Sequence, residues 1–179
     1  MTSSPTLAQD YFTFFGLAPK LTLDTADLQS RFYRLSREFH PDRYARRSPA
    51  EQQYALDATA LLNNAYRVLR DPVQRAEYLL SQQGFDIGQQ RSNDVPPELL
   101  EEVFELNVLL EETGHRDELE QARARFVNML DENDKELQGL YEKHDASNGD
   151  RVILQTIRGV LNRRRYIQNL VRDVEKALA

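Results

Sequence analysis

The chain has 179 residues, no cysteine, three histidines and a formal net charge of −6. That length serves one domain or two small ones. The missing cysteines exclude a disulfide framework, a thiolate zinc site and a cysteine-held iron–sulfur cluster, and the acidic balance argues against general nucleic-acid affinity. Seven glycines and seven prolines, against many Leu, Glu, Arg, Gln and Ala, point to an all-α protein.

Residues Met1 to Gln9 are short and uncharged, unlike a signal or transit peptide, and no apolar run is long enough to span a membrane. The expectation is a protein that stays in the compartment where it is made. Its charge is separated along the chain. Between Arg31 and Arg47 six arginines face Glu38 and Asp42, a balance of +4; between Asp94 and Glu120 ten acids face Arg116 alone, a balance of −9. A solvated helix face accounts for the acidic block, whereas arginines without lysine suit protein contacts.

Asp10 can cap a short first helix in the aromatic stretch Tyr11, Phe12, Phe14, Phe15 and Leu17, which reads as core and is closed by Gly16 and Pro19. Asp24 caps a second helix over about residues 25–39. Its apolar stripe is Leu28, Phe32, Leu35 and Phe39; Ser30, Tyr33, Arg34 and Arg37 fall on the far side, and Arg31 flanks the stripe. Ser48-Pro49-Ala50-Glu51 starts a third helix with a cap, a proline at the first helical position and a glutamate placed for a capping box. This helix runs to about Arg70 with Tyr54, Ala58, Leu61, Ala65 and Val68 on one face, Leu62 and Leu69 beside them, and packs antiparallel to the second. Asp71-Pro72 ends it and starts a fourth through Tyr78, Leu79 and Leu80, with Gly84 as a stop. Residues 84–97 read as a linker. From Glu98 to about Glu112 runs an acidic helix broken by Gly114. A long helix follows with Leu119, Ala122, Phe126, Met129 or Leu130, Leu137 and Leu140 inward. After a turn over Asp145–Asp150, a last helix from about Arg151 to Leu178 places Ile153, Ile157, Val160, Ile167, Val171 and Val174 inward. Three helices joined by short turns make an antiparallel bundle over 98–179, after a first domain over 1–83.

Two features stand out chemically. The first is His40-Pro41-Asp42 at the end of the basic helix, where Pro41 disfavours helix at His40 and removes a backbone donor. Three readings compete: a plain helix C-terminus, a catalytic His–Asp pair, and a contact for a partner protein. The catalytic reading lacks an identifiable nucleophile, metal or pocket; the basic face leading into the turn favours an acidic partner. The second is the acidic helix, apolar on two faces. Leu100, Phe104 and Val108 share one face, and Leu99, Val103, Leu106 and Leu110 another. Such a helix is either buried twice or exposes a patch for a partner.

With the tripeptide set between a basic helix and its antiparallel partner, the first domain resembles the J domain of DnaJ-type co-chaperones. Asp10-Tyr11-Phe12, Phe14-Phe15-Gly16-Leu17, Asn64-Ala65-Tyr66 before Leu69, the run Arg75-Ala76-Glu77-Tyr78-Leu79-Leu80 and the acidic bundle resemble the HscB branch, which acts in iron–sulfur cluster assembly. The resemblance covers nearly the whole chain from about Gln9. It implies a J domain that stimulates ATP hydrolysis by a DnaK-type chaperone, HscA in many bacteria, and a bundle that binds the scaffold protein IscU and delivers it to that chaperone. Carried over, His40, Pro41 and Asp42 contact the chaperone, with Arg34, Arg37 and Arg43 in support. The scaffold surface maps onto Leu100, Phe104, Glu105 and Val108 of the first bundle helix and Arg165 and Tyr166 of the last. Arg43 stands where the family usually has Lys, and Glu101 and Val108 differ in character from the residues usual on the scaffold face. The paired-cysteine segment of animal mitochondrial members is missing, which favours a bacterial cytoplasmic protein. The expected protein is not an enzyme, holds no cofactor or metal, and binds neither nucleic acid nor membrane. The rival readings are a J-domain co-chaperone for another client, a hydrolase using His40 and Asp42, and an RNA-binding protein using the arginines.

Overall fold

In the computed structural model, which describes residues 10–85, 96–111, 116–147 and 149–179, the chain divides into two units, Met1–Gln83 and Gly84–Ala179. The described residues hold helices and turns and no strand.

In the N-terminal unit, α1 is Tyr11–Phe15. Asp10 caps it by accepting from the Thr13 N–H, and Gly16 ends it at φ 64°, a left-handed conformation that strains any side chain. Helix α2 is Thr25–Glu38, capped by Asp24, which accepts from the N–H groups of Ala26 and Asp27. Its stripe points inward: Leu28, Leu35 and Phe39 are buried, and Phe32 is half-buried with its ring stacked on Tyr66 at 4.3 Å. Arg31 is structural. It pairs with Asp27 and donates to the carbonyls of Phe15 and Gly16, tying α1 to α2.

A one-turn helix α3, Pro41–Tyr44, precedes α4, Pro49–Arg70, whose reciprocal Ser48–Glu51 capping box is formed. The ring pairs Phe32–Tyr66 and Phe39–Tyr54 match rising positions on α2 with falling positions on α4, so the two helices are antiparallel. The buried row of α4 is Ala55, Ala58, Leu62, Ala65 and Leu69, one step from the expected row; Tyr54, Leu61 and Val68 are half-buried at its edge. Three alanines let neighbouring helices approach closely, so the centre of the contact falls on small residues and the larger ones flank it. Asp71 closes α4 and caps α5, Pro72–Gln82. From α5 the buried Arg75 donates to the carbonyls of Leu21 and Leu69, which explains a charged residue inside this core. Tyr78 donates to Asp10 and accepts from the Tyr11 N–H, its ring stacked on Tyr11.

In the C-terminal unit a 3-10 turn, Pro97–Leu99, leads into α6, Leu100–Glu111; α7 is Arg116–Ala146 and α8 is Arg151–Leu178. The expected break at Gly114 and most of the expected linker, including Ile87, lie outside the described residues. Arg151 covers the Phe85 ring at 4.7 Å. Ion pairs Arg123–Glu175 and Arg164–Asp134 match rising positions on α7 with falling positions on α8, so these two run antiparallel. One core cluster joins all three helices: Leu99 and Leu106, then Leu119, Ala122 and Phe126, then Ile167, Leu170 and Val174. On α8, Leu154, Leu161 and Leu170 are buried where Ile153 and Val171 were expected; those two are half-buried. The helix packs on both α6 and α7, so its apolar face is wider than a single row. Two polar side chains on α7 also lie inside: Asn133 donates to the Val160 carbonyl at 3.3 Å, and His144 meets Asp145 at 3.1 Å.

Candidate functional site

The turn after α2 is built on a fixed backbone. Phe39 closes α2, buried between Phe14 of α1 at 5.9 Å and Tyr54 of α4 at 6.0 Å. The Thr59 hydroxyl reaches the Phe39 carbonyl at 3.2 Å. His40 then caps α3: its Nδ1 accepts from the Asp42 N–H at 3.3 Å. Pro41 thus does more than stop α2. Its fixed φ and missing N–H suit the first position of the next helix, so the expected turn is a helix start.

The side chains of this turn point outward. His40 is 54% exposed and Asp42 90% exposed, with His40 Nδ1 and Asp42 Oδ2 3.6 Å apart. Pro41, Arg34 and Arg37 are exposed, and Arg43 donates to the Arg37 carbonyl at 3.2 Å, closing the last turn of α2. The structure therefore brings His40, Pro41, Asp42, Arg37 and Arg43 together at one end of α2, with Arg34 one turn earlier. Nothing encloses the His–Asp pair, and no metal-holding group of His, Cys, Asp and Glu occurs among the described residues. An open groove lined by Thr25, Gln29, Tyr66 and Arg70 does not include the pair. Such a turn can make directional polar contacts with another protein.

The second candidate surface is on α6. Leu99 and Leu106 enter the core and Val103 and Leu109 pack against it, leaving Leu100, Phe104 and Val108 exposed; Phe104 is 71% exposed. Leu110, which by spacing shares a face with Leu99, Val103 and Leu106, is exposed. From Leu106 both Leu109 and Leu110 lie near the inward direction, and Leu109 takes it. Glu105, beside Phe104, pairs with Arg125 of α7 at 2.8 Å. On α8, Tyr166 packs half-buried against the core and Arg165 is half-buried, so neither stands out as Phe104 does. Arg163 bridges Glu98 and Glu136, holding the start of α6 to α7 and α8.

Sequence reasoning missed Arg125 as a neighbour of the α6 face, Arg31 as a tether, and Asn133 and His144 as interior residues. Asn133 and His144 had a signal: they continue the inward spacing through Phe126, Leu137 and Tyr141.

The helical N-terminal unit with its exposed His-Pro-Asp turn defines a J-domain protein, and the DnaJ domain family model matches residues 10–78. The chain is also 38% identical over 138 residues to a co-chaperone HscB homolog of Vibrio vulnificus strain YJ016, and equally so to that of strain CMCP6, covering 77% of this chain and of each relative. Among solved structures it is similar to chaperone HscB from Vibrio cholerae, with a TM-score of 0.65 and 29% identity over 94% of this chain and 97% of that one. It is similar too to human co-chaperone HscB, with a TM-score of 0.73 and 25% identity over 97% of this chain and 84% of that one. The chain belongs to the HscB family of J-domain co-chaperones.

Proposed function

We propose that this protein stimulates the ATPase of a DnaK-type, HscA-like chaperone through the His40 turn and delivers an IscU-type iron–sulfur scaffold to it through the α6 face. The observation that carries the reading is the turn itself: His40, Pro41 and Asp42 are exposed while the backbone beneath them is pinned by Phe39 and Thr59. A contact of this kind acts by favouring the chaperone's hydrolysis-competent arrangement over its alternatives. Arg34 and Arg37 add positive charge that speeds encounter with an acidic surface. The hydrolysis site belongs to the chaperone, and the cluster is cargo of the scaffold; this chain holds neither. Leu100, Phe104 and Val108 form the scaffold contact, with Glu105 at its rim and Arg165 and Tyr166 contributing from α8. Binding the scaffold raises its local concentration at the chaperone. A bacterial cytoplasmic setting fits the two Vibrio relatives, and no described helix is long and apolar enough to cross a membrane.

Titration of a DnaK-type chaperone's steady-state ATPase with the full-length protein, with and without purified scaffold, tests this. Stimulation should be greater with scaffold present, and His40→Gln and Asp42→Asn should abolish it while leaving helicity and melting temperature nearly unchanged. Normal stimulation by either variant would place the contact elsewhere. Stimulation indifferent to scaffold would point to another client.

A further inference from the structure

We infer that Arg125 is a charge filter on the scaffold surface: it occupies Glu105 and competes with a basic rim of the partner for that carboxylate. The inference rests on the reading of the α6 face as the scaffold site.

Helix α6 carries Glu101, Glu102, Glu105 and Glu111 and no lysine or arginine. Glu101 and Glu105 each follow a residue of the exposed row Leu100, Phe104 and Val108, so at four-residue spacing they line one side of it. A partner whose apolar centre covers Phe104 therefore meets acids along that side, and its complementary rim is basic. Glu105 is already engaged. Arg125 Nη2 lies 2.8 Å from Glu105 Oε2, and the guanidinium sits 5.4 Å over the ring of the fully buried Phe126. The ring places Arg125 independently of Glu105, so its positive charge stays beside the site when Glu105 turns to a partner. A basic side chain arriving at Glu105 must displace one cation and tolerate it nearby. The arrangement taxes any basic protein that lacks a good apolar contact, a penalty on wrong partners as much as on the right one. Because both side chains are about half-exposed, the penalty is small and screened by salt.

The test is scaffold binding to the full-length protein, by stopped-flow and calorimetric titration at low and high salt. The variants are Arg125→Gln, Glu105→Gln, the double variant and Phe104→Ala. Arg125→Gln keeps a polar side chain on α7 and removes the charge. It should tighten binding about threefold at low salt, mostly through a faster association rate. The gain should vanish at high salt and in the Glu105→Gln background. Unchanged or weaker binding by Arg125→Gln, or a gain that persists without Glu105, overturns the filter. Phe104→Ala keeps the two failures apart. If it loses binding while Arg125→Gln gains nothing, the filter alone is wrong. If it binds undiminished, the site is misplaced and the filter falls with it.

Discussion

In the N-terminal unit Phe39 lies between Phe14 and Tyr54 with 8% of its surface exposed; in the C-terminal unit Phe104 stands on α6 with 71% exposed. In the function proposed above, both rings serve a contact with another protein, by opposite means. A contact through the His40 turn would depend on the directions of polar side chains, and Phe39, buried before the turn, fixes the backbone that carries them. A contact through the α6 face would depend on the area of the ring, which asks only that α6 be held in place. Leu99 and Leu106 hold it from inside, and Arg163 and Arg125 from outside. One surface is specified by anchoring, the other by exposure.

The largest expected effect breaks the first half of that comparison. Phe39→Ala removes a ring packed between two helices and should cost about 3 kcal/mol of stability, in the range for a buried phenylalanine. Chaperone stimulation should fall with it although His40, Pro41 and Asp42 are untouched. Denaturant unfolding beside the ATPase titration reads both. A variant that stays stable and stimulates normally would show that the turn needs no anchor.

Phe104→Ala tests the second half. An exposed ring leaves no cavity, so stability should barely change, whereas scaffold binding should weaken by about 2 kcal/mol, as at the centre of an interface. Basal stimulation of the chaperone without scaffold should be unaffected. A large drop in the unfolding midpoint with intact scaffold binding would make Phe104 a core residue and reverse the contrast with Phe39.

The two units also differ in their interior polar groups. Arg75 reaches two backbone carbonyls, at 2.8 and 2.6 Å, whereas Asn133 makes one long contact to Val160 and no described residue meets its Oδ1. Asn133→Leu should therefore raise stability by about 1 kcal/mol, since an incompletely satisfied amide gives way to packing surface. The Val160 carbonyl lies within α8 and keeps its place in the helical ladder. A lower midpoint or a less cooperative transition would mean that Asn133 fixes the register of α7 against α8.

How far the sequence carried this picture depended on how local each cause was. Caps and stops are written in a few neighbouring residues, so Asp10, Asp24, Ser48 and Asp71 mark helix starts that the structure keeps. The two-faced character of α6 was legible because it is a periodicity, and the exposure of Leu100, Phe104 and Val108 follows from one face meeting the core. Rows on long helices were legible only to within one position. Which of Leu154 or Ile153, or of Ala55 or Tyr54, lies deepest depends on the partner helices, and pattern alone does not contain them. Arg31 was read as a flank of the α2 stripe and one charge of the basic block, Arg75 only as part of the run that carries the resemblance, and Arg125 not at all. Their roles depend on the Gly16 carbonyl, the Leu21 carbonyl and the Glu105 carboxylate, which lie 15, 54 and 20 positions away along the chain, and no local pattern reports these.

The smallest effect concerns a polar anchor of the N-terminal unit, where α1 meets α5. Asp10 Oδ2 accepts from the Thr13 N–H at 2.7 Å and the Thr13 hydroxyl at 2.6 Å, and Oδ1 accepts from the Tyr78 hydroxyl at 3.1 Å. Partial burial pulls the Asp10 pKa up. The hydrogen bonds from Thr13, Tyr78 and the Phe12 backbone outweigh that pull and hold the carboxyl below its ordinary value. A carboxyl whose pKa is lower folded than unfolded adds stability above its unfolded value, and loses that contribution as pH falls through the folded one. Asp10→Asn keeps a capping oxygen and removes the charge. It should lower the melting temperature slightly at neutral pH, and the gap to the wild type should close as acid protonates Asp10 in the latter. Thermal unfolding of both proteins from pH 7 down through the carboxylate range measures the gap. If the gap stays constant with pH, the Asp10 charge contributes nothing to stability and the carboxyl acts only by shape.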